Sequence, residues 1–199
     1  MKAEKKESQK TNSQEDEKQK ADNQSRYTHV SHTFQPVFNE ESRVLILGTF
    51  PSVKSREGMF YYHHPQNRFW KVVAGLCGEE TPRTIDEKKQ MLLRNRIAIW
   101  DVIASCDIIG SSDSSIKNVT PADLNRVLSR TDIREIFGNG QKACALYRKY
   151  CQKDTGREIT ALPSTSPANA ACSLEQLIER WKPVLQVFHV EGPDEYFTG

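Results

Sequence analysis

The sequence predicts an α/β fold, a three-layer α/β/α sandwich around a central four-stranded parallel sheet. Three observations carry that prediction. Val44–Gly48 runs apolar or Gly without a polar break, the pattern of a strand buried on both faces. Runs of this kind alternate with stretches of helical period, as parallel strands joined by crossover helices require. Each run ends in a turn of small or polar residues, so four turns gather at the carboxyl edge of the sheet, where open parallel sheets bind ligands.

Taken in order, the first strand stops in Gly48-Thr49-Phe50-Pro51-Ser52. Residues 53–66 hold three aromatics (Phe60, Tyr61, Tyr62) and two histidines (His63, His64) without a period, and read as a loop. From Asn67, the residues Phe69, Val73, Leu76 and Cys77 share one helical face, with Gly78 as the stop. Thr84-Ile85-Asp86-Glu87 has the form of a capping box for a second helix reaching about Asn95. Residues 96–101 read as a second strand ending in a carboxylate, Asp101. Residues 103–118, rich in Ser, Asp and Gly, read as a loop. Thr120-Pro121-Ala122-Asp123 reads as a helix start, with Leu124, Val127 and Leu128 as the buried stripe. Residues 133–137 and 158–162 are the third and fourth strands, and Ala143, Leu146, Tyr147 and Tyr150 mark the helix between them. Ser173-Leu174-Glu175-Gln176 is another capping box, opening a helix on Leu174, Leu177, Ile178 and Trp181. Residues 184–190 read as an edge strand or a packed tail.

The 199 residues suffice for one domain with a substantial core. The expected organisation is a disordered polar tail over 1–35, an α/β domain over 36–190 and a flexible tail over 191–199. Residues 1–35 carry too few apolar side chains to offset the entropy of ordering. They also lack the apolar core of a signal peptide, and no stretch is long enough to cross a membrane. A cytoplasmic monomer is the expectation. Five Cys, an odd number with no C-x-x-C, argue against a disulfide framework or a zinc knuckle and leave buried reduced thiols. The net charge of +2 is no polyelectrolyte signal. Nucleic-acid binding would therefore rest on a local patch and backbone amides. The sheet edge offers hydroxyls, amides, Gly and one acid, with no HExxH, P-loop or thiol nucleophile. No metal and no cofactor are expected.

Two edge segments stand out, Gly48-Thr49-Phe50-Pro51-Ser52 and Leu162-Pro163-Ser164-Thr165-Ser166-Pro167-Ala168-Asn169. Pro-framed loops with small hydroxyls suit phosphate contact and close approach to a ligand; the competing reading is a pair of well-made turns. Gly48-Thr49-Phe50-Pro51 and Pro163-Ser164 stand where the uracil-DNA glycosylase superfamily has its two motifs, and the chain resembles that superfamily. With Asn67-Arg68-Phe69-Trp70 and Ile99-Trp100-Asp101-Val102 added, the set looks most like the hypoxanthine-DNA glycosylase (DNA-deoxyinosine glycosylase) branch. The resemblance spans about residues 43–182. It implies a monofunctional enzyme that flips a deaminated base out of DNA, most of all hypoxanthine, and hydrolyses the N-glycosidic bond. The implied partner is DNA containing deaminated bases. No lysine stands where a Schiff-base nucleophile would, so no strand-cleaving step is expected.

The departures redistribute the roles. The most active members carry Asp or Asn at the third position of the first motif; here it is Phe50. Some carry His or Asn at the start of the second; here it is Leu162. The resemblance therefore moves water handling to Asn67, whose amide carbonyl would hold a water against C1′, with helix capping as the competing use. Tyr62 aligns with the stacking aromatic, and Phe50 would line the same pocket. Backbone N–H groups of Thr49 and Phe50 would bind the base carbonyl and steady the departing anion. Asp101 would accept the N1–H of hypoxanthine, or the N3–H of uracil, a proton adenine lacks; its competing use is a structural cap. Ser164, Thr165 and Ser166 are candidates for phosphate contact, and the segment with Pro167 and Asn169 for entry into the minor groove. Asn139 reads as a helix cap, with phosphate contact as the competing use, and His63 and His64 as incidental loop residues. The rival readings are a uracil-directed enzyme of the same fold, a non-catalytic binder of damaged DNA and a small-nucleotide hydrolase.

Overall fold

In the computed structural model, which describes residues 26–190, the chain enters on a short polar strand, β1 (Thr28–Ser31), and then forms β2 (Val44–Gly48), all five of whose residues are buried. Helices α1 (Val53–Glu57), α2 (Phe69–Cys77) and α3 (Ile85–Arg94) follow, then β3 (Ile97–Asp101), again buried throughout. Next come β4 (Ile103–Ile108), β5 (Lys117–Pro121), α4 (Asn125–Leu128), β6 (Glu135–Asn139), α5 (Gln141–Tyr150), α6 (Gln152–Thr155) and β7 (Thr160–Leu162). The chain closes on α7 (Leu174–Trp181), α8 (Pro183–Gln186) and a 3-10 turn over Val187–Val190.

The main sheet runs β3-β2-β6-β7, all parallel, inside a three-layer α/β/α sandwich. Continuous apolar runs suit these strands because helices cover the sheet. Two capping boxes form as the sequence predicts, Thr84 with Glu87 and Ser173 with Gln176, and Gly78 ends α2 in the left-handed conformation. Helix α2 packs on α7, with Phe69 meeting Trp181 edge-on at 5.8 Å between ring centres. The register sets Gly48 beside Asp101, Leu47 beside Gly138 and Asn139 beside Leu162. Four strand ends thus share one edge.

A second sheet, β1-β4-β5, is antiparallel, and the sequence expectation missed it. The polar tail drawn to residue 35 gives way at Thr28–Ser31, which pairs with β4; residues 1–25 and the C-terminal tail lie outside the described residues. The stretch read as a loop over 103–118 holds β4 and the start of β5. Its apolar residues do not alternate because the pairing shifts register twice, and Asn118 takes a left-handed backbone. Pro121 ends β5 instead of opening a helix, and α4 begins four residues later. The loop read over 53–66 contains α1, capped by the Ser52 hydroxyl on the Ser55 N–H. Of the two readings of residues 184–190, the structure has the packed tail: Pro183 sits at a first helical turn, α8 and the 3-10 turn follow, and Val184 and Val187 are buried. The free edge of β3 is covered by an antiparallel bridge from Val37 to Ile99.

All five Cys are free thiols; Cys106, Cys144 and Cys151 are buried, and burial pushes the thiols of Cys106 and Cys151 up to about 11. Among the described residues no helix is long and apolar enough to cross a membrane. Trp181 is fully buried and its indole N–H donates to the Pro163 carbonyl at 2.9 Å, tying the core to the loop after β7. Trp181→Ala is expected to cost about 3–5 kcal/mol in denaturant unfolding, the usual range for emptying a large aromatic site.

Candidate active site

The strand ends open into a cleft of about 150 Å³ whose lining includes Gly48, Phe50, Tyr62, Asn67, Asp101 and Asp113. Its floor is the junction of β2 and β3. A Cβ on Gly48 would lie 2.2 Å from the Asp101 Oδ1 and 3.1 Å from the Tyr62 hydroxyl, so only glycine admits both groups. Asp101 is buried, and its Oδ2 meets the His32 Nε2 at 2.9 Å. Tyr62 stacks on Phe69 at 3.9 Å between ring centres and lines the cleft. Its backbone has φ 51°, a conformation costly for an aromatic residue and typical of functional sites. Its hydroxyl is buried without a hydrogen-bond partner. Burial, and then the negative charge of Asp101, hold the phenol far above its ordinary range, so it stays a neutral donor.

One wall is an amide–hydroxyl chain. Asn139 donates through Nδ2 to the Thr165 Oγ1 at 2.9 Å and accepts from the Thr165 backbone N–H at 2.9 Å. The Thr165 hydroxyl donates in turn to the Asn67 Oδ1 at 3.0 Å, and the Phe69 N–H donates to the same oxygen at 3.0 Å. A backbone N–H can only donate, so the Asn67 amide has one possible orientation. Its carbonyl oxygen is spent inside the protein. The sequence reading has this carbonyl hold a water, but both of its lone pairs are taken by Phe69 and Thr165, which leaves the NH₂ group as what Asn67 offers to a ligand. Thr165 has no exposed surface and is corrected from a phosphate contact to the residue that orients Asn67. Asn139 is corrected likewise: α5 has no side-chain cap, and Asn139 holds Thr165 instead.

The loop after β7 is fastened from below by Arg68. Its guanidinium donates to the carbonyls of Cys172, Ser166 at 3.1 Å and Asn169 at 2.8 Å. Asn169 also closes the loop on the Ser164 carbonyl at 2.9 Å. Ser164 and Ser166 line the cleft, while Pro167 and Ala168 project as an exposed tip. Thr49 and Phe50 lie at the mouth, with the Arg56 guanidinium 5.9 Å above the Phe50 ring. His64 reaches the rim and accepts the Gln66 N–H on Nδ1; His63 packs by Gly58.

Four contributors escaped the sequence reading. Asp113, from a Ser-rich stretch, accepts the Thr49 hydroxyl at 3.0 Å, and Ser111 from the same stretch receives the Val53 N–H at 2.8 Å. A carboxylate thus stands beside Phe50, the position that lacks one. Desolvation holds Asp113 above the usual carboxylate range; the Thr49 hydroxyl works against that, and the charge of Asp101 adds to it. His32 and Phe34 come from the segment read as tail, with Phe34 on the cleft wall. The available signal was an apolar and aromatic rise, Val30 to Phe38, ahead of the first long strand. Among the described residues no group of three His, Cys, Asp or Glu is placed to hold a metal ion.

The family model of the uracil DNA glycosylase superfamily matches residues 35–185. The chain is similar to a hypoxanthine DNA glycosylase of Methanosarcina acetivorans, 34% identical over 79% of this chain and 99% of that one. It is also similar to one of Methanosarcina barkeri, 35% identical over 68% of this chain and 86% of that one. The solution structure of a candidate uracil DNA glycosylase from Methanosarcina acetivorans superposes with a TM-score of 0.64 at 31% identity, over 76% of this chain and 96% of that one.

Gly48→Ala is expected to leave a folded protein whose cleft floor is displaced, because the added methyl and the Asp101 carboxylate claim one volume. Ligand-free stability and binding of inosine-containing DNA, measured side by side, check this: binding falls much further than stability.

Proposed function

We propose that this chain, which belongs to the uracil DNA glycosylase superfamily, is a monofunctional DNA glycosylase that excises deaminated bases, hypoxanthine in deoxyinosine foremost. The observation that carries the reading is a buried carboxylate at the floor of a cleft of aromatic and amide side chains. Asp101 accepts the N1–H of a flipped hypoxanthine. Adenine presents a lone pair at that atom and is repelled. Tyr62, backed by Phe69, stacks the base, and Phe50 closes over it. Backbone N–H groups of Thr49 and Phe50 take the base oxygen and the charge that develops as the base leaves. Ser164, Ser166 and the tip with Pro167 and Asn169 engage the DNA backbone and the space the base vacates. The relatives named hypoxanthine DNA glycosylase support this choice of base.

In the hydrolysis, the water oxygen bonds to C1′ while the C1′–N bond breaks and its electron pair leaves with the base. The Asn67 NH₂ group holds the water through one lone pair, leaving the other for attack. Asp113 takes the proton that the water gives up, in place of the acid missing at residue 50. Departure of a purine leaves a cation-like sugar, so placement and a nearby negative charge supply most of what the step needs.

A uracil-directed activity is the second reading. The same Asp101 accepts a uracil N3–H, and a cleft of about 150 Å³ matches a cavity that takes a single aromatic ring.

Free-base release from oligonucleotides containing deoxyinosine or deoxyuridine, with chelator present, tests both readings in one assay. Release of hypoxanthine ahead of uracil is expected, and binding without release of either base would overturn the enzymatic reading. Asn67→Ala is expected to slow release by about 100-fold, the scale on which misplaced reactants are penalised. Asp113→Asn carries a pH signature. An acid whose folded value is raised binds its proton more tightly folded than unfolded, so it costs stability as pH rises through that window. Asp113 is solvent-exposed, so screening keeps this cost small and the Asn variant should melt close to wild type at neutral pH. It should also release base about 100-fold more slowly and lose the acid limb of the rate profile.

A further inference from the structure

The His32–Asp101 pair joins the cleft floor to a segment that lies ahead of residue 35, where the family match begins. Both side chains are nearly inaccessible, 5% and 6% exposed. The His32 backbone N–H is fixed on the Ala104 carbonyl at 2.7 Å, across the second sheet. Its ring is set edge-on against Phe34 at 4.5 Å and Phe50 at 6.2 Å between centres. The Nδ1 atom is buried with no partner. A carboxylate can only accept, so the ring donates one hydrogen bond, from Nε2 to Oδ2. Among the described residues this is the one side-chain hydrogen bond Asp101 makes. The other oxygen, Oδ1, lies over Gly48 at the cleft floor.

From this geometry we infer that His32 is a positioning residue for base selection: it occupies Oδ2 and turns Oδ1 toward the base. Without that bond the carboxylate would be free to rotate and would hold no fixed acceptor against the base, weakening its preference for an N1–H. The second sheet then has a place in the chemistry. Pairing of β1 with β4 delivers His32 to the end of β3, and the aromatic packing of Phe34 and Phe50 keeps the ring from turning away. The inference rests on the base-reading role proposed for Asp101, and the variants below separate the two.

The test compares His32→Phe, His32→Gln, Asp101→Asn and the double variant His32→Phe/Asp101→Asn. Each is assayed for hypoxanthine release and for binding to the same duplex carrying an abasic site in place of deoxyinosine. His32→Phe should reduce kcat/KM for release on the order of 100-fold, as misplacement of a site group does, with abasic-site binding unchanged. His32→Gln, which keeps a donor, should recover most of the loss. In the Asp101→Asn background the His32→Phe change should cost nothing further, because the carboxylate it acts through is gone. That background also removes the buried charge, so the cycle can be read even if the single His32→Phe protein folds poorly. Wild-type release by His32→Phe beside a crippled Asp101→Asn overturns the role of His32 alone. So does a His32→Phe loss that persists in the Asp101→Asn background, or one matched by an equal loss of abasic-site binding. Wild-type release by Asp101→Asn overturns the base-reading role beneath it.

Discussion

The absence of a side chain at Gly48 is the constraint on which the site depends. Adjacent parallel strands lie only about 4.8 Å apart, and the register sets Asp101 beside Gly48. Any Cβ at that position would occupy the space of the carboxylate. With none there, Asp101 folds across the end of the neighbouring strand, and its two oxygens face different surroundings. One meets His32 from the second sheet and the other meets the cleft. The Tyr62 hydroxyl shares the same gap. A buried carboxylate needs a hydrogen-bond partner to be tolerated, so the close approach at Gly48 and the arrival of β1 are parts of one solution.

Elements specified by local chemistry were legible in the sequence. Val44–Gly48 and Ile97–Asp101 are continuous apolar runs because both faces of the central sheet are covered, and nothing else in the chain has that pattern so cleanly. Thr84 and Ser173 announce their helices by a hydroxyl followed three residues on by Glu or Gln. The second sheet was not legible, since β1 is four residues of mostly polar character and β4 and β5 are bulged against each other. Alternation is the main signal of a half-buried strand, and a bulge erases it. The same limit applies to the site. Asp101 and Asn67 could be placed because they adjoin recognisable elements. His32 and Asp113 reach the cleft only through pairing and loop docking, which no local pattern encodes.

The chain from Asn139 through Thr165 to Asn67 shows what residue type alone leaves open at three positions. A hydroxyl and two amides at a sheet edge are each plausible as phosphate contact, water holder or helix cap. Once linked, they have no such freedom: Thr165 is fully enclosed, and the Phe69 N–H settles which end of the Asn67 amide faces outward. A satisfied buried network of this kind fixes geometry more than it adds stability. Arg68 does the equivalent for the loop beyond, since one planar guanidinium reaches three carbonyls that a lysine could not serve together.

Phe50 then has a physical rationale. In the first motif an acid at that position would stand close to both Asp101 and Asp113, and three carboxylates around one small cleft would repel one another. The phenyl ring instead packs edge-on against His32 and beneath the Arg56 guanidinium. It packs against the His32 ring of the His32–Asp101 pair, while Asp113, bonded to the neighbouring Thr49, places a second carboxylate on the cleft lining. The charge that residue 50 lacks is therefore not lost from the site. It is divided between a floor carboxylate tied to an imidazole and a lip carboxylate tied to a hydroxyl. Such a division suits a reaction whose sugar becomes cationic while the base that leaves must still be recognised by its proton.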